Sequence, residues 1–279
     1  MPLALLLVLL APAPDAGAPP KGLRCLTRHY AGAVSHRPDA GWGLLLEGGV
    51  FIPWRAEAPP ADAGADVDDE GPPGVDLESI YRPPYVAGPI RPVDTSDAGA
   101  IEDPGRVRVE QLFFATYGAS REEVFERMAR VRFFGLRYPF HALAAEPLRR
   151  VVARLEPQVQ QSPALRRFVT DIGGTFAWRK IARSRNLSTH AFGIAIDLNV
   201  ARSHYWRWTR RGEPLRWQNQ VPQALVDAFE AEGFIWGGRW VHYDTMHFEY
   251  RPELLDPACR DDGDAGDAGV DGAPPTRPE

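Results

Sequence analysis

Cysteine is nearly absent from this chain of 279 residues: only Cys25 and Cys259 carry a thiol. Two thiols are too few for a multi-bridge scaffold or a thiolate zinc finger. They stand near the two ends of the part expected to fold. In an oxidising compartment they could close one disulfide, and in the cytosol they would stay reduced. Long apolar runs are missing as well. The run Leu3 to Ala11 is too short to span a membrane but long enough for the core of a secretory signal. No Lys or Arg precedes it, the first being Lys21, and the small-residue site Ala11-Pro12-Ala13 runs into Pro14. Residues 1–20 read as a signal peptide, which implies an exported protein, periplasmic or extracellular. Cys25 follows Gly-Leu-Arg, unlike an acylated lipoprotein cysteine.

Basic residues are missing from Glu57 to Glu78, which holds eight acidic side chains, and Asp261 to Glu279 has six acidic residues against one arginine. Asp-Ala-Gly recurs six times without a structural period. Residues 56–104 therefore read as an acidic Pro/Gly-rich linker and 257–279 as a disordered acidic tail. The motif "SIYRPPYV" inside the linker has aromatics worth burying. Without the acidic segments the chain, net −5 overall, becomes basic. That favours an anionic partner such as cell-wall polymer or nucleic acid, although ordinary surface arginine accounts for it equally well.

A regular alternation of strand and helix is also lacking, which argues against a parallel α/β sheet. Residues 21–55 read as a small β module of short strands, with a hairpin in "WGLLLEGGVFIPW" turning at Glu47-Gly48-Gly49. Ser120-x-x-Glu123 is a capping box, and "RVRFFGLRY" reads as a strand. Leu148, Val151, Val152 and Leu155 fall at helical spacing, and Pro163 opens another helix. Strands are expected at Thr175–Arg179, Gly193–Asn199 and His247–Tyr250, and a helix from Pro222 to Glu232 ends at Gly233. The fold class is α+β with a mainly antiparallel sheet.

The strand in "STHAFGIAIDLNV" carries Asp197 among aliphatic residues, and a buried carboxylate requires a positive partner. Ile194, Ile196 and Leu198 share one face; Asp197 shares the other with the small Gly193 and Ala195. His190 lies seven residues earlier, roughly 23 Å away at about 3.3 Å per residue if the chain were straight. A common ion would require a bend, and Gly193 is the place for it. In "WGGRWVHYDTMHFEY", Asp244 and His247 are three apart, and His247 and Glu249 share a face. Two histidines and one carboxylate suit a catalytic zinc, with the second aspartate as base. Each piece taken singly is also compatible with a hydrogen-bonded core pair or a turn. His29, His36, His141, His204 and His242 read as surface or supporting residues, and the Trp206–Trp208 cluster as a loop packed on the domain.

"STHAFGIAIDLN", followed by "GFIWGGRWVHYDTMHFEY", resembles the VanY-type D-alanyl-D-alanine carboxypeptidases and L-alanyl-D-glutamate endopeptidases, a family of zinc metallopeptidases. The resemblance covers about residues 105–256. It implies a Hedgehog/DD-peptidase-like α+β domain with Zn2+ held by His190, Asp197 and His247. It implies Asp244 as general base, where many carboxypeptidase members have Glu, and Arg179 in the place of the active-site arginine. Substrate contacts would come from Ser188, Arg179 and Trp240. The implied activity is hydrolysis of a peptide bond in peptidoglycan stem peptides, with no nucleic acid partner and no stable membrane span. The alternative is a non-catalytic zinc domain that binds cell-wall peptide.

Overall fold

The computed structural model describes residues 17–55, 76–96, 98, 102–181 and 186–259. Most of the expected signal peptide, the most acidic part of the linker and residues 260–279 of the expected tail lie outside the described residues; the first three residues of that tail, Pro257–Cys259, instead form a helical turn that ends in a buried cysteine. The chain opens with a helix, α1 (Lys21–Leu26), rather than the expected strand. Leu23 and Leu26, three apart and both fully buried, fit a helical turn, and Pro20 leads into it. Strands β1 (Ala33–Arg37), β2 (Gly41–Leu45) and β3 (Phe51–Pro53) form an antiparallel sheet. The turn between β2 and β3 is at Glu47–Gly49, as the sequence suggests, with Gly48 and Gly49 at φ 83° and 84°.

This N-terminal part is not a separate module. Its Leu23, Leu44 and Ile52 join one hydrophobic core with Leu148, Ile196 and Phe248. The expected linker over 56–104 is likewise part of the fold from Asp76 onward. Leu77 N donates to Pro53 O and Glu78 N to Trp54 O, while Leu77 and Ile80 have no exposed surface. Tyr85, 1% exposed, donates its hydroxyl to Glu230 and accepts from Trp236 N at 2.9 Å. The aromatics of "SIYRPPYV" thus override the polar, Pro-rich composition around them, because their burial is worth more than the ordering costs.

Helices α2 (Glu110–Tyr117) and α3 (Arg121–Glu126) follow. Ser120 caps the helix as expected, its Oγ accepting from Glu123 N, while the Glu123 carboxylate accepts from Ala119 N, one residue before the cap, instead of from Ser120 N. "RVRFFGLRY" is two strands, β4 (Met128–Phe133) and β5 (Leu136–His141), rather than one. Phe134 and Gly135 are the turn, both at positive φ, so Gly135 reverses the chain. Helix α4 (Ala142–Gln161) buries Leu148, Val151 and Leu155, each contributing about 1.5–3 kcal/mol of apolar burial. Helix α5 (Pro163–Val169) has Ser162 as its cap.

The central sheet has the order β6-β7-β9-β8 and is antiparallel throughout. Its strands are β6 (Ile172–Gly174), β7 (Ala195–Asn199), β8 (Phe234–Trp236) and β9 (His247–Tyr250). The first strand is three residues earlier than Thr175–Arg179, ending at Gly174 with φ 137°. Helix α6 (Gln223–Glu230) precedes β8 and packs on the apolar face of the sheet, where Phe229 stacks on Phe248 at 4.1 Å. A final turn of helix, α7 (Pro252–Leu255), leads to Cys259.

Cys25 and Cys259 form a disulfide, with Cα atoms 5.0 Å apart and a separation of 234 in sequence. Closing so long a loop stabilises by up to about 5 kcal/mol in the chain-entropy model. The paired Cys25→Ser, Cys259→Ser variant is expected to melt lower by on the order of 10 °C. An unchanged melting temperature in calorimetry would contradict that contribution.

Candidate metal centre

The register of the sheet sets Asp197 directly beside His247, and Ala195 beside Glu249, on the face opposite Ile196 and Phe248. His190 comes from the turn Thr189–Phe192, which Ser188 caps by accepting from His190 N. The bend needed between His190 and Asp197 is at Gly193, with φ 65°. A Cβ there would press on the mobile end of Met128, 2.4 Å from Cε, so it is the left-handed backbone angle that favours glycine.

Three donor atoms converge. Asp197 Oδ1 is 3.2 Å from His190 Nε2 and 3.0 Å from His247 Nδ1, and the two ring nitrogens are 3.3 Å apart. Donors held tetrahedrally about 2.1 Å from one zinc would be about 3.4 Å apart, so the triangle fits an ion within a few tenths of an ångström. The remaining ring nitrogens are engaged elsewhere. His190 Nδ1 donates to Thr175 O at 3.0 Å, and His247 Nε2 donates to Glu249 Oε2 at 3.0 Å. Both rings therefore turn their other nitrogen inward, and the cluster requires positive charge at its centre, as protons or as an ion.

The electrostatics follow from that demand. Burial alone would raise the Asp197 carboxyl, but His190 and His247 override it and hold the group well below the usual carboxylate range. Burial alone would lower His247, but hydrogen bonds to Asp197 and Glu249 push it up to about 10. A cation bound by all three residues would take the place of that proton.

Glu249 is a supporting residue that the strand alternation places on the right face without revealing its role. It accepts from His247 and from Thr189 Oγ1 at 2.9 Å, and Arg251 lies 3.3 Å from its other oxygen. Arg251, with no exposed surface, continues to Glu253 at 2.6 Å, and Glu253 accepts from Tyr30 at 2.8 Å. A buried polar chain thus runs from the candidate ligand to the N-terminal segment.

Asp244 stands in the tight turn before β9. Its backbone N donates to Gly237 O at 2.9 Å, and a Cβ on Gly237 would meet Asp244 O at 2.6 Å. Its Oδ1 is sealed from solvent and has no hydrogen-bond partner among the described residues. Burial pushes its carboxyl up to about 6, against the opposing charge of His247. Arg106 is another group that the sequence pattern does not reveal. Its guanidinium lies 4.4 Å above the Trp240 ring and opposes the raised Asp244 carboxyl, as its charge does the raised Tyr205 phenol. Arg179 is exposed and acts on the same Tyr205 phenol, which burial raises. The Trp240 indole is fully buried, with its ring 5.6 Å from His247 and its Nε1 without a hydrogen-bond partner among the described residues. Ser188 is also buried, its hydroxyl engaged in the cap.

His242 pairs with the buried Asp103 at 2.9 Å and supports Trp206 at 4.8 Å, in line with a packed aromatic loop. A second group of donors, Cys25, His29, Asp256 and Cys259, has its two thiols committed to the disulfide.

Residues 182–250 match the family model of the D-alanyl-D-alanine carboxypeptidases. The matched segment contains His190, Asp197, Asp244 and His247. The resemblance read from the motifs holds over that segment, and the match supports a peptidase in general terms.

Glu249 fixes the tautomer and orientation of His247, so Glu249→Gln is expected to weaken zinc binding about 10- to 100-fold with the fold retained. Competition with a chromophoric chelator measures this. Unaltered affinity would show that His247 is oriented without Glu249.

Proposed function

We propose that this protein is a zinc-dependent peptidase that hydrolyses a peptide bond in peptidoglycan stem peptides. The observation that carries the reading is the unpaired Asp244 Oδ1, buried in the turn that leads three residues later to the candidate ligand His247. A site that only binds metal has no use for a buried carboxylate without a partner, since such a group is costly unless a ligand or water meets it.

Zinc bound by His190, Asp197 and His247 would supply Lewis-acid polarisation of the scissile carbonyl and acidify an attacking water. Asp244 takes the proton from that water and delivers it to the leaving amine. Its raised pKa suits both halves of the transfer, because the group is a better base than an exposed aspartate and still ionised at neutral pH. Arg179 and Arg106, whose charges both act on Tyr205, offer positive charge for a substrate carboxylate or for the developing oxyanion. An exported location, periplasmic or extracellular, accords with the Cys25–Cys259 disulfide.

Mass spectrometry of muropeptides after digestion by the zinc-loaded protein tests the reading directly. Loss of a terminal alanine, or scission within the stem, is expected. Intact muropeptides would favour a domain that binds wall peptide without cutting it. Asp244→Asn is expected to keep zinc and lose about 100-fold or more in kcat. In the unaltered enzyme kcat/KM should fall on acidification, with an apparent pKa at or below about 6. Protonation removes the base, and a bound cation lowers the Asp244 pKa further. Near-normal turnover in Asp244→Asn would place the base elsewhere.

A further inference from the structure

Away from the metal centre, the β4–β5 hairpin and helices α4 and α5 enclose a groove of about 910 Å³. Five arginines line it: Arg130, Arg132, Arg137, Arg149 and Arg166. Glu156 is the single acidic side chain in the lining. Arg132 and Arg137 are direct cross-strand partners, a like-charge pairing that works against the hairpin. Among the described residues, Arg130, Arg132 and Arg137 have no carboxylate partner. Arg149 pairs with Glu146 at 3.0 Å, so the guanidinium charge that the fold leaves unneutralised in the groove is that of Arg130, Arg132 and Arg137.

The hairpin tip adds a second, independent feature. Leu136 is 65% exposed at the turn. Phe134, which also lines the groove, has φ 37°, a backbone region that bulky residues rarely adopt. An Asn or Gly would serve that turn better; packing of the ring on the core beside Phe133, 4.9 Å between centroids, holds it there and leaves Leu136 as the apolar side chain presented at the tip. The tip is the far end of the hairpin from the candidate metal centre. Its open end, where His141 N donates to Gly193 O at 2.8 Å, is five residues away, about 17 Å at 3.4 Å per residue.

We infer that this hairpin tip and arginine groove form a docking site for an anionic lipid surface, with Leu136 entering the interface and the arginines meeting headgroup phosphates. An apolar tip flanked by unpaired cations matches the layering of a bilayer surface, apolar below and phosphate above. A soluble phosphate polymer would use the arginines but would leave the exposed leucine without a role. Arginine is suited to the headgroup because its fork binds phosphate oxygens two at a time. Among the described residues no helix is long and apolar enough to cross a membrane, so the attachment would be peripheral. Docking at the tip leaves the metal centre free to meet its substrate.

Co-sedimentation of the full chain with vesicles of equimolar phosphatidylglycerol and phosphatidylcholine tests this, with pure phosphatidylcholine as the neutral control. Binding only to the anionic vesicles, weakened by salt, is expected. Arg132→Gln/Arg137→Gln should weaken it by about tenfold or more, at unchanged melting temperature. Leu136→Asp should weaken it separately, without removing any positive charge. The control Arg28→Gln/Arg91→Gln, with the same charge removed elsewhere, should bind nearly as well as the unaltered protein. The inference is overturned by absence of vesicle binding, by equal losses in both double variants, or by unchanged binding in Leu136→Asp. It is also overturned if a soluble phosphodiester polymer binds and the vesicles do not. None of these readouts depends on peptidase activity.

Discussion

The structure turns on one carboxylate between two imidazoles. Asp197 belongs to a central strand whose other face is wholly apolar, and its charge is tolerable only because His190 and His247 meet it at 3.2 and 3.0 Å. The sheet supplies one of these contacts by register alone, since Asp197 and His247 are cross-strand partners. The other requires a chain reversal, which Gly193 provides. Without the two histidines Asp197 would neutralise itself by taking up a proton, so the fold can persist while the candidate metal site is lost.

Around this triangle the fold is arranged in shells. Thr175 and Glu249 hold the outer nitrogens of the two rings, and Arg251 and Glu253 hold Glu249 in turn. The buried Arg108 belongs to the same charged interior, with burial lowering its pKa to about 10 against the attraction of Glu249. Such a network is costly to bury, and the Glu249–Arg251 and Arg251–Glu253 pairs offset part of that cost. Tyr30 ties it to the N-terminal segment, which is why the β1–β3 part shares a core with the sheet that carries the ligands.

Much of the site was legible because its residues stand in short motifs with strong local constraints. The alternation in "GIAIDLN" identifies the face of Asp197, and the glycine marks the bend. Glu249 was placed on the correct face, but nothing in the spacing distinguishes a base from a residue that orients a histidine. That distinction depends on which ring nitrogen it meets. Arg106 and Thr175 are distant in sequence or lack a motif, and only tertiary packing brings them in. The fold was read less well where composition competed with burial. Leu77, Ile80 and Tyr85 sit in a Pro-rich acidic stretch that resembles a spacer, yet they are core residues. Nothing local marks the turn at Phe134-Gly135, because phenylalanine is a poor occupant of a left-handed position.

The central claim is that His190, Asp197 and His247 form one zinc site. Elemental analysis of protein purified without added metal measures it most directly. One zinc per chain is expected, with loss of that zinc in a His190→Ala/His247→Ala variant that remains folded by circular dichroism. Full zinc occupancy in the double variant would contradict the assignment.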